Sequence, residues 1–452
     1  MNLSALETQL DDFDFVQRNQ ALRALAAAPE LLPAIGNNVN MHLHSFFSYN
    51  ARGFSPVHLA WESRRQGLYA TALCDFDVLD GLDEFLDAGL CLGLRTAVHL
   101  ETRAFLPEFA QAEINSPGEP GVTYIMGAGF ARSLPTDSPE AKTLLSYRNH
   151  AARRNRELVA RINPHVADLA IDYDRDVVPL SPGRCPTERH IIRAYVNQAT
   201  TRYADRTARI SVWARLLGRD ATEIEKLIDR LPALEERVRA KFAKKGGFGY
   251  LQPTPDTFPP ASEFIRWVRA CSAIPMITWL DGTCAGEAVP NAMLDCLTAQ
   301  GAAAVNIIPD RNWNITDPAQ KAVKTAHLAR YVEACEARAL PVNIGTEMNR
   351  DGLPFVDDLS GPELKPYREI FTRGAQIMVG HSILLRYAGY SYIGPQADAE
   401  FGANRKARNR FFAMIGALPP LTENDAARLR EVGPDRAFTK IQDALRRAQW
   451  TP

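Results

Sequence analysis

His42 and His44 stand one residue apart on a short apolar run, residues 39–43. On a β-strand, positions i and i+2 point to the same side. Two imidazoles converging there are the first ligand pair that a divalent transition metal takes from a protein. Three further apolar runs end in residues of related chemistry. Residues 69–74 lead into Asp75 and Asp77, residues 95–100 into Glu101 and Arg103, and residues 340–344 into Glu347 and Asn349. Each run has strand-like length and follows a helix-like segment. In α/β barrels the chemistry sits where strands end and loops begin, so these runs predict one shared site.

The order of these motifs resembles the PHP (polymerase and histidinol phosphatase) superfamily. His42 and His44 match its opening HxH, and Asp75 matches the Asp of Thr-Asp-His before a loop ending in Gly, here Gly81. Glu101 matches the Glu that ends the next strand. Residues 345–349 align with a late Gly-Ser-Asp-x-His, Glu347 standing for the Asp and Asn349 for the His. The resemblance covers residues 38–130 and 260–350. It implies an α/β fold, a distorted (β/α)7 TIM-like barrel, here with a mostly helical insertion. It also implies a metal centre that hydrolyses phosphoesters, with His42, His44, Asp75, Glu101, Glu347 and Asn349 among the ligands.

Three departures reshape that expectation. Phe76 takes the His place of Thr-Asp-His, Tyr124 stands where a further strand carries a histidine, and Trp279 replaces the His of Ala-His-Pro. A reduced site of one or two ions follows, with an aromatic wall of Phe76, Tyr124 and Trp279 able to stack a ring-bearing substrate. Replacement ligands are sought at His99, Asp77, Asp281 and His381. For each the alternative is an ordinary strand-end polar group or a buried histidine already satisfied by a partner.

Residues 184–192 are similar to the Arg-Pro-His segment of PHP phosphoesterases, in which His and Arg at a helix start hold substrate phosphate. Arg189 and His190 take those places here, with Thr187 as the helix cap. The alternative is a solvated helix start. The cluster Arg405, Lys406, Arg408 and Arg410 reads as a solvated helix face. The implied mechanism is metal-assisted hydrolysis, with Asp75, Glu101, Arg103 and His190 acting at the reacting phosphate. Imidazole ligands favour Zn, Mn or Fe over Mg. Two other readings stay open: a degenerate PHP-like barrel serving as a binding or regulatory module, and an amidohydrolase-like enzyme acting on C–N or C–O bonds.

These residues need a scaffold, and the chain is long enough to build one. Its 452 residues exceed a minimal barrel. Residues 1–36 read as an N-terminal helical extension and 37–130 as the first part of the barrel. Residues 131–259 read as a helical insertion, 260–400 as the second part of the barrel and 401–452 as a C-terminal helical segment. Within the insertion, 138–162, 187–200, 211–217 and 221–244 have helical spacing. Hydrophobic content of 46% and charged content of 23% fit an ordinary globular protein. A net charge of −1 argues against generic nucleic-acid binding but not against a small phosphorylated substrate. Seven dispersed cysteines without a CxxC predict neither a zinc ribbon nor a disulfide framework, and they suit a reducing cytoplasm. The start lacks a secretory pattern and no run is long enough to span a bilayer. Walker A, HExxH and GxSxG motifs are missing. Arg132 occupies the third glycine place after Gly127 and Gly129, which disfavours a dinucleotide site.

Overall fold

The computed structural model describes residues 2–450. Seven strands form one sheet in sequential order: β1 (Val39–Leu43), β2 (Ala70–Phe76), β3 (Arg95–Phe105), β4 (Val122–Ala128), β5 (Ile274–Trp279), β6 (Ala304–Ile307) and β7 (Val342–Ile344). Every residue of β1, β5, β6 and β7 is buried, as expected of strands that helices cover on the outside. β7 returns to β1 through a parallel bridge between Leu43 and Glu347, so the sheet nearly closes into a barrel.

One strand runs the other way. β4 is antiparallel to both β3 and β5, and all other pairs are parallel. The connection from β3 to β4, residues 106–121, holds a short 3-10 turn, Pro107–Phe109, and no crossover helix of the kind that usually returns a parallel strand. The start of β4, not its end, therefore lies beside the C-terminal end of β3.

Helices Pro56–Arg65 and Leu82–Leu92 follow β1 and β2 and pack on β2 and β3. The first starts with a Ser55 cap, whose side chain accepts from the His58 N–H, and has Pro56 at its first position. Helices Pro290–Ala299, Pro318–Ala337 and Arg368–Ile383 follow β5, β6 and β7. The helix Arg405–Ala417 crosses Arg368–Ile383 at van der Waals distance through two glycines. A Cβ on Gly380 would lie 2.1 Å from the Phe412 carbonyl oxygen, and one on Gly416 would lie 1.9 Å from that of Gln376. Near the N-terminus, Leu10, Leu22 and Leu25 are buried in the same core, and Arg18 pairs with buried Glu84.

Between β4 and β5 the chain leaves the barrel. Helices Pro139–Val166, Glu188–Arg202, Arg206–Leu217 and Leu231–Phe242 build a second apolar cluster around Tyr195, Trp213 and Phe242. The single helix expected over 221–244 is two, Ala221–Glu225 and Leu231–Phe242. Pro232 falls in the first turn of the second, where its missing N–H is harmless, and it could not continue an earlier helix. Among the described residues no helix is long and apolar enough to cross a membrane.

Candidate metal centre

His42 and His44 project from the end of β1 to the inside of the barrel, and Glu101 meets them from β3. Their ring centroids lie 5.1 Å apart. Glu101 Oε2 is 3.9 Å from His42 Nε2 and 3.7 Å from His44 Nε2. One donor atom from each of the three lies within 4.8 Å of the others, the one such group of three or more among the described residues. All three side chains are buried.

The second nitrogen of each ring decides what the first can do. His42 Nδ1 is 3.0 Å from Asn306 Oδ1, on β6. An amide oxygen only accepts, so Nδ1 carries the ring proton and Nε2 keeps its lone pair. His44 is fixed through a longer chain. Asp75 Oδ1 accepts the Ser48 hydroxyl hydrogen at 2.7 Å, so Ser48 Oγ accepts from His44 Nδ1 at 3.1 Å. Again the proton sits on Nδ1. His42 Nε2 and His44 Nε2 are both buried with no hydrogen-bond partner. Two bare lone pairs facing a buried carboxylate are the donor set a divalent ion fits.

Electrostatics agree. Burial pushes the Glu101 carboxyl well above its usual range, and the neighbouring Glu347 and Asp77 push it further. Burial holds His42 below its usual value, and it holds His44 well below, with His42 and Arg189 adding to the effect. A cation held by these three would relieve the first and profit from the second.

The other expected residues divide. Asp75 is not at the cluster: its carboxylate accepts from Ser45 N–H, the Ser45 hydroxyl and the Ser48 hydroxyl, so it supports a ligand instead of being one. Burial lifts it to about 6 in spite of those three donors. Glu347 is buried close enough to act on His42 and Glu101 electrostatically, and its Oε2 lies 3.8 Å from Arg311. Asn349 is half-buried, two residues beyond Glu347. Asp77 accepts from the Thr102 hydroxyl at 2.6 Å. Phe76 is registered with Glu101 and Tyr124 with Arg103, so both share the ligands' face, and their rings meet edge to face at 6.2 Å. Arg103 pairs with Glu119 and lies over the Phe258 ring. Arg189 pairs with Glu236 and sits over Tyr49, whose ring also packs on His190. His190 closes a capping box with Thr187, accepting that residue's N–H at Nδ1.

Two assignments, Trp279 and His381, are corrected, and two candidates, His99 and Asp281, are not taken up as ligands. Trp279 does not line the pocket: Thr278 and Asn306 are registered on the inner face, so Trp279 points outward, stacked on Tyr331 of the covering helix at 4.4 Å. His381 is no ligand, because it lies within a helix and both nitrogens are committed. Nε2 donates to Gly129 O at 3.0 Å and Nδ1 accepts from Tyr392 N–H at 3.0 Å. His99 faces inward, but Nδ1 accepts from Gly129 N–H, which places its proton on Nε2. Asp281 is held by Lys324 and Thr283.

Three residues of the site carried no sequence signal of their own. Asn306 is a lone amide in an apolar strand, Ser48 lies in the loop after β1, and Arg311 follows β6. Arg311 Nε is buried without a partner. Backbone strain marks the same rim: Tyr49, Asp77, Glu347 and Met348 all have positive φ, at 120°, 61°, 64° and 57°.

No family model matches the chain, and no curated protein matches it. Among solved structures it is similar to a Bifidobacterium adolescentis protein described as a candidate metal-dependent phosphoesterase. That likeness has 18% identity and a TM-score of 0.45 over 75% of this chain and 98% of the other. It is also similar to an amidohydrolase from Chromobacterium violaceum with bound sulfate and no metal, at 16% identity and a TM-score of 0.47, over 74% of this chain and 95% of the other. At this distance both likenesses concern the course of the chain alone.

Proposed function

We propose that the protein is a metal-dependent hydrolase that cleaves a phosphoester of a small or nucleotide-like substrate. The observation that carries this reading is the pair of buried, partnerless Nε2 atoms of His42 and His44 facing Glu101. These three residues would hold a divalent ion, and their imidazoles suit Zn, Mn or Fe. Such an ion, when bound, lowers the pKa of water and neutralises charge on a phosphoryl oxygen.

The chain's own groups do the rest. Asn306, and Asp75 acting through Ser48, fix both rings with their lone pairs inward. Arg311 and Arg189 bring guanidinium groups to the rim, where they would bind and orient phosphoryl oxygens. Arg103 adds a third, shared with Glu119. His190, held at about 3 by burial and by Arg193, stays neutral and would offer its Nε2 proton as a hydrogen bond. Phe76 and Tyr124 would keep water off one wall and receive a ring. Seven free thiols support a reducing, cytoplasmic setting.

Metal analysis of protein purified without chelators tests this, together with a panel of phosphomonoesters and amides. Replacing His42 and His44 by alanine is expected to remove bound metal and phosphoesterase activity together. Wild-type protein that takes up no Zn, Mn or Fe would leave the barrel as a binding module. Amide turnover with phosphoesters untouched would favour the amidohydrolase reading.

A further inference from the structure

A cavity of about 270 Å³ opens at the end of the barrel opposite the metal centre. Its floor includes Ala303, which directly precedes β6, and Ile393. Its walls carry Arg269, from the helix Ala261–Ala270, and Arg405 and Arg408, from the helix Arg405–Ala417. The sequence pattern suggested a solvated face for the last two, and the structure corrects this. Arg408 is only 12% exposed, and it is spent on the fold: it donates to Tyr392 O at 3.1 Å and to Asp398 at 2.8 Å. Its Nε is buried and has no partner.

The charge balance in the cavity is one-sided. Asp398 is the carboxylate in the wall, and Arg408 already neutralises it. Arg405 donates one N–H to the Arg338 carbonyl at 3.0 Å, which leaves its charge uncompensated. Among the described residues neither Arg269 nor Arg405 has a carboxylate within ion-pair distance. Two guanidinium groups without a counter-ion line this one cavity together with small and aliphatic side chains, and they match a compact dianion on a short carbon frame. Phosphate carries close to two negative charges near neutrality and fits the planar fork. The volume falls just short of that of ordinary drug-sized sites, about 300 Å³ and above, and so suits a ligand smaller than a nucleotide. Catalysis in such barrels belongs to the other face.

We propose that this cavity is a second, non-catalytic binding site for a small phosphorylated anion. It stands independently of the hydrolase reading. The test uses inorganic phosphate as the probe and hydrogen exchange on the full chain as the readout. Phosphate is expected to protect residues 298–303 and 392–408, and to do so equally in the protein with His42 and His44 both replaced by alanine. Arg269→Gln with Arg405→Gln should weaken that protection at least tenfold in apparent affinity. Arg269 is exposed, so Arg269→Gln alone is expected to fold and to show the same direction. Protection confined to the barrel mouth, or protection at 392–408 that survives both arginine replacements, would overturn the proposal.

Discussion

Ser48 has one hydroxyl hydrogen, and giving it to Asp75 obliges the oxygen to accept from His44. Removing that oxygen frees the His44 ring to turn and to move its proton to Nε2, where it would block a metal. Partners of this kind are worth roughly 10–100-fold in metal affinity. Ser48→Ala and Asn306→Ala are each expected to weaken Zn binding by about that factor in chelator competition, with the fold kept. Unchanged affinity in both would mean the rings are held by packing alone. His381 gives a different prediction. Burial holds it at about 4, against 6.5 for an unhindered histidine. Between those values the unfolded chain takes a proton that the folded one refuses, so stability falls as pH drops from about 6.5 to about 4. His381→Gln should make that part of the denaturation profile shallower, with His99 and His190, held low in the same way, keeping the rest of the slope; a slope identical to wild type would refute the assignment. At this scale the sequence made His42, His44 and Glu101 legible, because alternation along a strand ties spacing to direction. Asn306 and Ser48 stayed hidden: each belongs to the site through a partner hundreds of residues away or around a loop, and no local spacing encodes that. Trp279 misled because a strand buried on both faces gives its apolar residues no preferred side.

The strands themselves were readable as apolar runs, and β1 spans the residues expected of it. Two things were not. The apolar stretch before His381 belongs to a helix, since four apolar residues fit either period. The reversal of β4 goes with a connection, residues 106–121, that carries no crossover helix, and it places Tyr124 beside Arg103 where a parallel strand would have carried it to the far end. The glycine crossing of Arg368–Ile383 with Arg405–Ala417 leaves no room for a side chain on either glycine. A methyl group at Gly416 would have to displace a backbone carbonyl, not a flexible side chain. Gly416→Ala is therefore expected to cost about 3 kcal/mol, the upper end for overpacking, and to lower Tm without touching metal affinity. A melting curve superimposable on wild type would show that the helices slide apart freely.

At the scale of the whole molecule, the centre draws its members from β1, β3 and β6, and β1 also meets β7 at the seam of the barrel. The Glu347 N–H donates to His42 O at 2.8 Å, and the His44 N–H donates to Glu347 O at 3.0 Å. A metal bound by His42, His44 and Glu101 would tie the first and third strands together next to that seam. Anything that binds only the folded state stabilises it, by about 2.7 kcal/mol when present at a hundredfold excess over Kd. Zn or Mn should accordingly raise Tm in wild type and leave the protein with His42 and His44 both replaced by alanine unmoved. Equal shifts in the two would assign the effect to some other site.

The bond from His42 to Asn306 spans 264 residues. During synthesis the histidine pair emerges early, while the amide that sets the tautomer of one ring appears two-thirds of the way along the chain. Until then a nascent chain exposes two adjacent imidazoles with unrestrained protons and no fixed geometry. Domains begin to fold from the N-terminal side as they are made, yet this centre is completed only when the second arc of strands has docked. Loading of a metal at a centre with its tautomers set would thereby come late in the life of the molecule. A truncated product ending before β6 would carry the two histidines and Glu101 without the amide that aims His42.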